Sequence, residues 1–366
     1  MTNFRPEIIT IQIIYRLLQN NNYRIPGLDG LRAISIIIVI LKHLLSQKYL
    51  DSSLKSVPIL FDGLFGVNVF FIISGFLITT LLLREEEKTG TVVIRSFYLR
   101  RVLRIFPAYF FLLFVYAILE YFNVIEISRS SWLTSLTFTR SLIESKEWFT
   151  GHTWSLSVEE CFYLLWPILF LKIKKNRQGV LWLIIISVPL VRFLTSVQLI
   201  PTISELSLFT RADAIAMGCI LAINRAKVEE KLFKEDNFFI YLFLTGLFIL
   251  GLLSRFGVAV TLKPLSLAIG GTHGTIASLL ICIILIFSTR VRTGWWHKFL
   301  NNKIVVYIGT LSYSLYLWQQ FFINDTATWY NSFPINLVLI VICAMGSYHL
   351  IEKPFLKLKT LYSNYK

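Results

Sequence analysis

Ten stretches of mostly apolar residues recur along this chain, separated by segments rich in Lys and Arg. They fall at 29–48, 64–83, 105–124, 157–171, 179–198, 208–224, 237–254, 270–288, 304–323 and 334–351. A helix that crosses a bilayer needs about 20 predominantly apolar residues. Lipid cannot hydrogen-bond a bare backbone, so stretches of this length predict helices. The fourth and sixth are short and begin with polar residues at their outer ends. The expected fold class is all-α, a polytopic membrane protein with about ten transmembrane helices. Composition agrees. Charged residues make up 16% of the chain, against about 25% in a soluble domain. Mean hydropathy is +0.65. Too few charges remain to coat a water-facing surface, which excludes a soluble enzyme, a disordered chain and a coiled coil.

A net charge of +15 can signal nucleic acid, but its distribution points elsewhere. If the N-terminus lies inside, the inner segments hold 25 Lys and Arg and the outer segments 7. That bias follows the positive-inside rule and places both termini in the cytoplasm. A reporter fused after Lys175 or at the C-terminus is expected on the cytoplasmic side, and one at Ser145 outside. Finding Ser145 inside would overturn the ten-helix topology. The expected partner is a lipid bilayer, with no nucleic acid. Three parts are expected: an N-terminal segment over 1–28, a transmembrane domain over 29–355 and a cytoplasmic tail over 356–366. Within the first, Ile9, Ile13 and Leu17 recur at helical spacing, which suits a short helix on the membrane surface. No small-residue cleavage site follows it, so it does not read as a signal peptide.

Soluble routes to catalysis are missing. Cys161, Cys219, Cys282 and Cys343 lie apart in apolar stretches, without a CxxC pair or zinc spacing, and read as small core residues. There is no HExxH, no phosphate loop and no GxSxG elbow. No metal is implied. Ionisable residues inside the spans are the functional candidates, because each is costly in lipid. The first span carries Arg32, Lys42 and His43. Eleven residues at 100° each return to within about 20° of the start, so Arg32 and His43 share a face. Asp29 lies one turn before Arg32. His43, in the outer half, either takes a proton from a hydroxyl or hydrogen-bonds a neighbouring helix. Asn68 in the second span either orients a catalytic group or caps the helix. Small Ser74 and Gly75 favour close helix packing.

The segment before the third span carries Arg100, Arg101 and Arg104, which share one face if it is helical. Three guanidinium groups suit phosphates; an inner-face cluster touching anionic lipid is the plainer alternative. Trp154 and Tyr163 at the opening of the fourth span can serve as interfacial anchors. Glu159 or Glu160 needs a partner at that depth, and His43, Arg192 and Arg211, joined by Asp213, come to similar depths. Tyr313 lies in the ninth span. Pro354 is expected to stop the tenth helix.

These pieces resemble the integral-membrane acyltransferase-3 family, which includes O-acetyltransferases of bacterial surface polysaccharides. The matching residues are LDGLRAISIIIVILKH (28–43), GVNVFFIISGFLI (66–78), FYLRRVLRIFP (97–107), WSLSVEECFY (154–163), RADAIAMG (211–218), IGTLSYSLYLW (308–318) and IEKPF (351–355). They cover nearly the whole chain in the family's order. The resemblance implies transfer of an acyl group, commonly acetyl from acetyl-coenzyme A, to a hydroxyl. It puts the family's Arg-x10-His motif on Arg32 and His43, its glutamate on Glu159, and its basic loop on Arg100, Arg101 and Arg104. Two departures stand out. Asn68 replaces an acidic residue often found there, and Gln319 replaces a histidine. Gln319 cannot shuttle a proton, though it can hydrogen-bond.

The expected activity is that of an O-acyltransferase in a bacterial inner (plasma) membrane. Acyl-coenzyme A, commonly acetyl-CoA, is the co-substrate rather than a bound cofactor. A cell-surface or lipid-linked saccharide such as a lipopolysaccharide O-antigen is the acceptor. His43 is expected to act as general base or transient acyl carrier. Glu159 orients or charge-stabilises it, and Arg32 fixes the donor or braces the site. Asn68, Trp154, Arg211, Asp213 and Tyr313 are expected on the acceptor side. A multi-helix transporter or flippase of a sugar-containing substrate also accounts for buried charge, but no second copy of Arg-x10-His marks a paired half. A degenerate, non-catalytic assembly partner would rest on Gln319 alone. Because the chain ends soon after the tenth stretch, no fused outer esterase-like domain is expected.

Overall fold

A computed structural model describes residues 25–363, apart from 48, 50–62, 144–146, 202, 205–206, 233–262 and 327. Every regular element among the described residues is helical. In chain order they are α1 (Leu28–Ser46), α2 (Gly63–Thr89), α3 (Ile94–Tyr121), α4 (Arg129–Leu136), α5 (Thr153–Lys172), α6 (Arg177–Ser196) and α7 (Leu208–Ile223). Then come α8 (Arg225–Leu232), α9 (Lys263–Arg290), α10 (Gly294–Leu300), α11 (Lys303–Phe322), α12 (Ile335–Ser347) and α13 (Lys353–Ser363). A 3₁₀ turn (Trp329–Asn331) precedes α12, and a π-helical turn (Tyr348–Glu352) joins α12 to α13.

Nine of the ten apolar stretches coincide with a helix. The stretch 237–254 and the surface helix expected in 1–28 lie outside the described residues, apart from 25–28 of the latter. Among the described residues five helices, α2, α3, α5, α6 and the run Ile335–Leu358, are long and apolar enough to cross a membrane. The pair Gly274–Arg290 and Gly294–Leu300, bent by 93°, makes a sixth if it is one span. Part of the shortfall from ten is the stretch 237–254, which lies outside the described residues, and part has a physical cause. Helix α1 carries Asp29, Arg32 and Lys42 within its 19 residues, and α7 has only 16 residues. Both are packed inside the bundle, α1 between α2 and α11 and α7 between α2 and α6.

Two boundaries differ from expectation. The third helix begins at Ile94, so the basic run 95–104 forms its first three turns rather than a loop, and Pro107 lies inside the helix. Pro354 does not stop the tenth helix. The helical run continues from Ile335 to Leu358, and the π turn just before Pro354, the second residue of α13, accommodates the missing N–H.

Glycine sets helix approach at several crossings, and at that of α2 with α7 it does so from both sides. A Cβ on Gly75 of α2 would collide with the Ile215 carbonyl of α7, and one on Gly218 of α7 would collide with the Ile72 carbonyl of α2. The small residues let the backbones touch, which is how helices associate where lipid removes the hydrophobic drive. Gly75→Leu is expected to lower the thermal midpoint in detergent, with an overpacking cost of about 3 kcal/mol or more. A variant as stable as wild type would show that the crossing opens easily. Glu86 of α2 takes a bidentate contact from Arg177 of α6 at 2.7 and 2.9 Å. Lys174 adds a contact to Glu86 at 3.2 Å. All three lie in the basic segments 84–104 and 172–178, so the ends of α2 and α5 and the start of α6 meet on one side.

Candidate active site

A cavity opens among α1, α2, α3, α5 and α11. Its charged lining is Arg32, Arg101, Arg104 and Glu159; Ser74, Ser155, Tyr163, Tyr313 and Tyr316 add polar groups, and Phe70 and Phe71 an apolar wall. Arg32 projects from the second turn of α1 and pairs with Asp29 one turn earlier, at 3.3 Å. Arg101 and Arg104 are three residues apart on α3. Arg101 stacks over the Tyr163 ring, 4.6 Å from its centroid. Among the described residues neither Arg101 nor Arg104 has a carboxylate within ion-pair distance. Two guanidiniums that lack an ion-pair partner among the described residues, beside a third, are able to hold an anion, and the planar fork suits phosphate oxygens.

Glu159 faces the same cavity. Its carboxylate accepts from Ser74 Oγ at 3.1 Å and from the Tyr163 hydroxyl at 2.9 Å. Tyr163 follows Glu159 by one helical turn, so α5 itself supplies that bond. The sequence reading treated Tyr163 as an anchor; the i,i+4 spacing was the signal that marks it as the partner of Glu159. Tyr313 also lines the cavity and donates to the Ile105 carbonyl at 2.9 Å, tying α11 to α3.

His43 lies away from the cavity lining, eleven residues above Arg32, roughly 16 Å along the helix. Its Nδ1 meets Gln319 Oε1 at 2.6 Å, and its ring packs edge-on against Trp148 with centroids 5.9 Å apart. With Oε1 as acceptor, Nδ1 carries the proton and Nε2 keeps its lone pair. Gln319 therefore takes the orienting place expected of Glu159, whose hydrogen bonds go to Ser74 and Tyr163.

Other expected site residues fall outside the cavity. Arg100 turns to Glu85, at 3.0 Å. Asn68 is buried five residues into α2, too deep to cap it. Trp154 is buried edge-on against Phe71, centroids 5.9 Å apart. Arg211 is buried on α7. Asp213 joins α6 and α9 instead: Arg192 grips both its oxygens at 2.8 and 2.9 Å, and Thr275 adds 2.7 Å. The expected pairing of these charges with Glu159 does not form. Each stands on a helix face turned from the cavity, and such facing depends on packing between helices. Among the described residues no group of three His, Cys, Asp or Glu side chains is placed to hold a metal.

A model of the acyltransferase-3 family, described as an acyltransferase domain, matches residues 25–348. The chain belongs to this family. The match takes in every cavity residue named above. The O-acetyltransferase OatA of Staphylococcus aureus strain NCTC 8325 / PS 47 is 30% identical over 370 residues, covering 91% of this chain. SACOL0978 of strain COL, provisionally named an O-acetyltransferase, is 30% identical over 369 residues and likewise covers 91% of this chain. The chain spans 57% of the length of these relatives. No solved structure matches it.

Proposed function

We propose that the protein is a membrane O-acyltransferase that moves an acyl group, acetyl in the simplest case, from acyl-coenzyme A to a hydroxyl of a cell-surface or lipid-linked saccharide. The observation that carries this reading is the cavity with two unpaired arginines, in a chain of an acyltransferase family whose relatives are named O-acetyltransferases. Arg101 and Arg104, with Arg32 beside them, bind the donor's phosphates from the cytoplasmic side of a bacterial plasma membrane. Arg100, held by Glu85, stays outside that contact. Glu159 fixes Tyr163, and so the ring that Arg101 stacks on, rather than orienting the base.

His43 acts as general base. As the acceptor oxygen attacks the thioester carbonyl carbon, His43 Nε2 takes the hydroxyl proton. The carbon–sulfur bond then breaks and the thiolate leaves, receiving that proton. Both termini lie in the cytoplasm, and ten helices span the bilayer in this reading. The test is release of free thiol from acetyl-coenzyme A by the purified protein in vesicles, with and without a saccharide acceptor, and mass spectrometry of the saccharide. Acceptor-dependent release with an acetylated product supports the reading. Saccharide movement without thiol release points to a flippase and overturns it.

A further inference from the structure

The step just described leaves His152 unused. It sits in the loop that enters α5, and its side chain is buried, 3% exposed. Its backbone is tied on both sides. The N–H donates to Gln320 Oε1 at 2.9 Å, and the carbonyl accepts from the Tyr316 hydroxyl at 2.9 Å and Ser155 Oγ at 3.3 Å. Its ring packs edge-on against Tyr316, centroids 5.5 Å apart. Gln320 and the Leu317 carbonyl lie near the ring, yet neither ring nitrogen completes a hydrogen bond. Buried polar atoms are nearly always paired, so two bare nitrogens on one rigidly held ring require a reason. Nearby, Nε2 of the Gln319 carboxamide that holds His43 is also without a partner. Unsatisfied donors and acceptors thus gather around His43, as a polar ligand would require.

Two neighbours say which part of the reaction this is. Tyr316 and Ser155, which His152 touches, line the donor cavity. His43 acts electrostatically on His152. Burial, reinforced by the charge of Arg140, pushes the His152 imidazole down to about 3. It is therefore neutral at any working pH, a fixed dipole with one N–H donor rather than a proton carrier. A neutral imidazole in a dry site polarises a carbonyl without taking part in proton transfer.

We propose that His152 is a further catalytic residue whose ring N–H donates to the acyl carbonyl oxygen as negative charge gathers there. This rests on the acyltransferase reading above. The acceptor oxygen forms its bond to the carbonyl carbon, and the π pair moves onto the carbonyl oxygen. That oxygen is held by His152 until the pair returns and expels the thiolate; His152 gains and loses no proton.

The experiment compares wild type, His152→Phe and His152→Gln as purified full-length protein in vesicles, with acetyl-coenzyme A as donor. Phenylalanine keeps the ring edge against Tyr316 and removes both nitrogens. The loss of one such donor lowers kcat about a hundredfold, with KM for the donor unchanged and a thermal midpoint at or above wild type. Glutamine, which keeps an N–H donor, recovers part of the loss at the same midpoint. His152→Phe with kcat within about threefold of wild type overturns the inference and leaves the acyltransferase reading intact. A fall in activity matched by a fall in thermal midpoint in both variants also overturns it, assigning His152 to packing. Wild type that releases no thiol overturns both.

Discussion

His43→Ala is expected to lower acyl transfer by 10²–10⁴-fold, the span that a positioned acid–base group contributes, while membrane insertion and thermal midpoint stay near wild type. The stability half follows from surroundings. His43 is half-buried, and its side chain meets one carboxamide and one ring edge. Removing it strands Gln319 Oε1, a cost of about 1–3 kcal/mol. The activity half follows from tautomer. Gln319 holds the Nδ1 proton, so Nε2 is presented as an acceptor for a hydroxyl proton. Gln319→Leu frees the ring to turn and is expected to lower kcat by less than His43→Ala, without altering donor KM. A well-folded His43→Ala protein that retains more than about a tenth of wild-type turnover would defeat this mechanism, because a loss under about 1.4 kcal/mol is too small for a general base.

Arg101→Ala with Arg104→Ala is expected to raise the apparent KM for acetyl-coenzyme A by about 10²-fold or more, with the acceptor KM little changed. A hydrogen bond to a charged partner contributes about 1.5–3 kcal/mol. Two such bonds multiply, because both guanidiniums line one cavity and, among the described residues, neither has a carboxylate within ion-pair distance. Arg100→Ala is the internal control. Its guanidinium is already held by Glu85 at 3.0 Å, so donor KM should stay within about threefold. Equal effects at all three positions would mean that general positive charge at the inner face, rather than the cavity, governs donor binding. An unchanged donor KM in the double variant would return the cluster to lipid contact and topology.

Helix existence was legible from the chain because lipid leaves a backbone no other partner over an apolar run of that length. Periodicity then put Arg32 and His43 on one face of α1, and the i,i+4 rule links Glu159 to Tyr163. The basic run shows where this ends. Arg100, Arg104 and Arg101 span an arc of about 100° on α3, narrow enough to read as one cluster. Packing divides that arc: α2 brings Glu85 to Arg100, and the cavity receives the other two.

By itself the sequence determined that the described elements are helical and which rare ionisable residues fall within apolar runs, His43, Glu159 and Arg32 among them. Each is a property of one residue against lipid or of one helix against its own axis, so no knowledge of neighbours is needed. Only the tertiary structure decided that Gln319, 276 residues away, holds His43, that Ser74 shares Glu159 with Tyr163, and that Asp213 belongs to Arg192. It alone places His152 buried with both ring nitrogens bare. Those pairings depend on how helices rotate about their axes and how deep they sit against one another. Side chains of Gly75 and Gly218 set such quantities by being absent, and a linear pattern records the small residue but not the backbone that comes to rest against it.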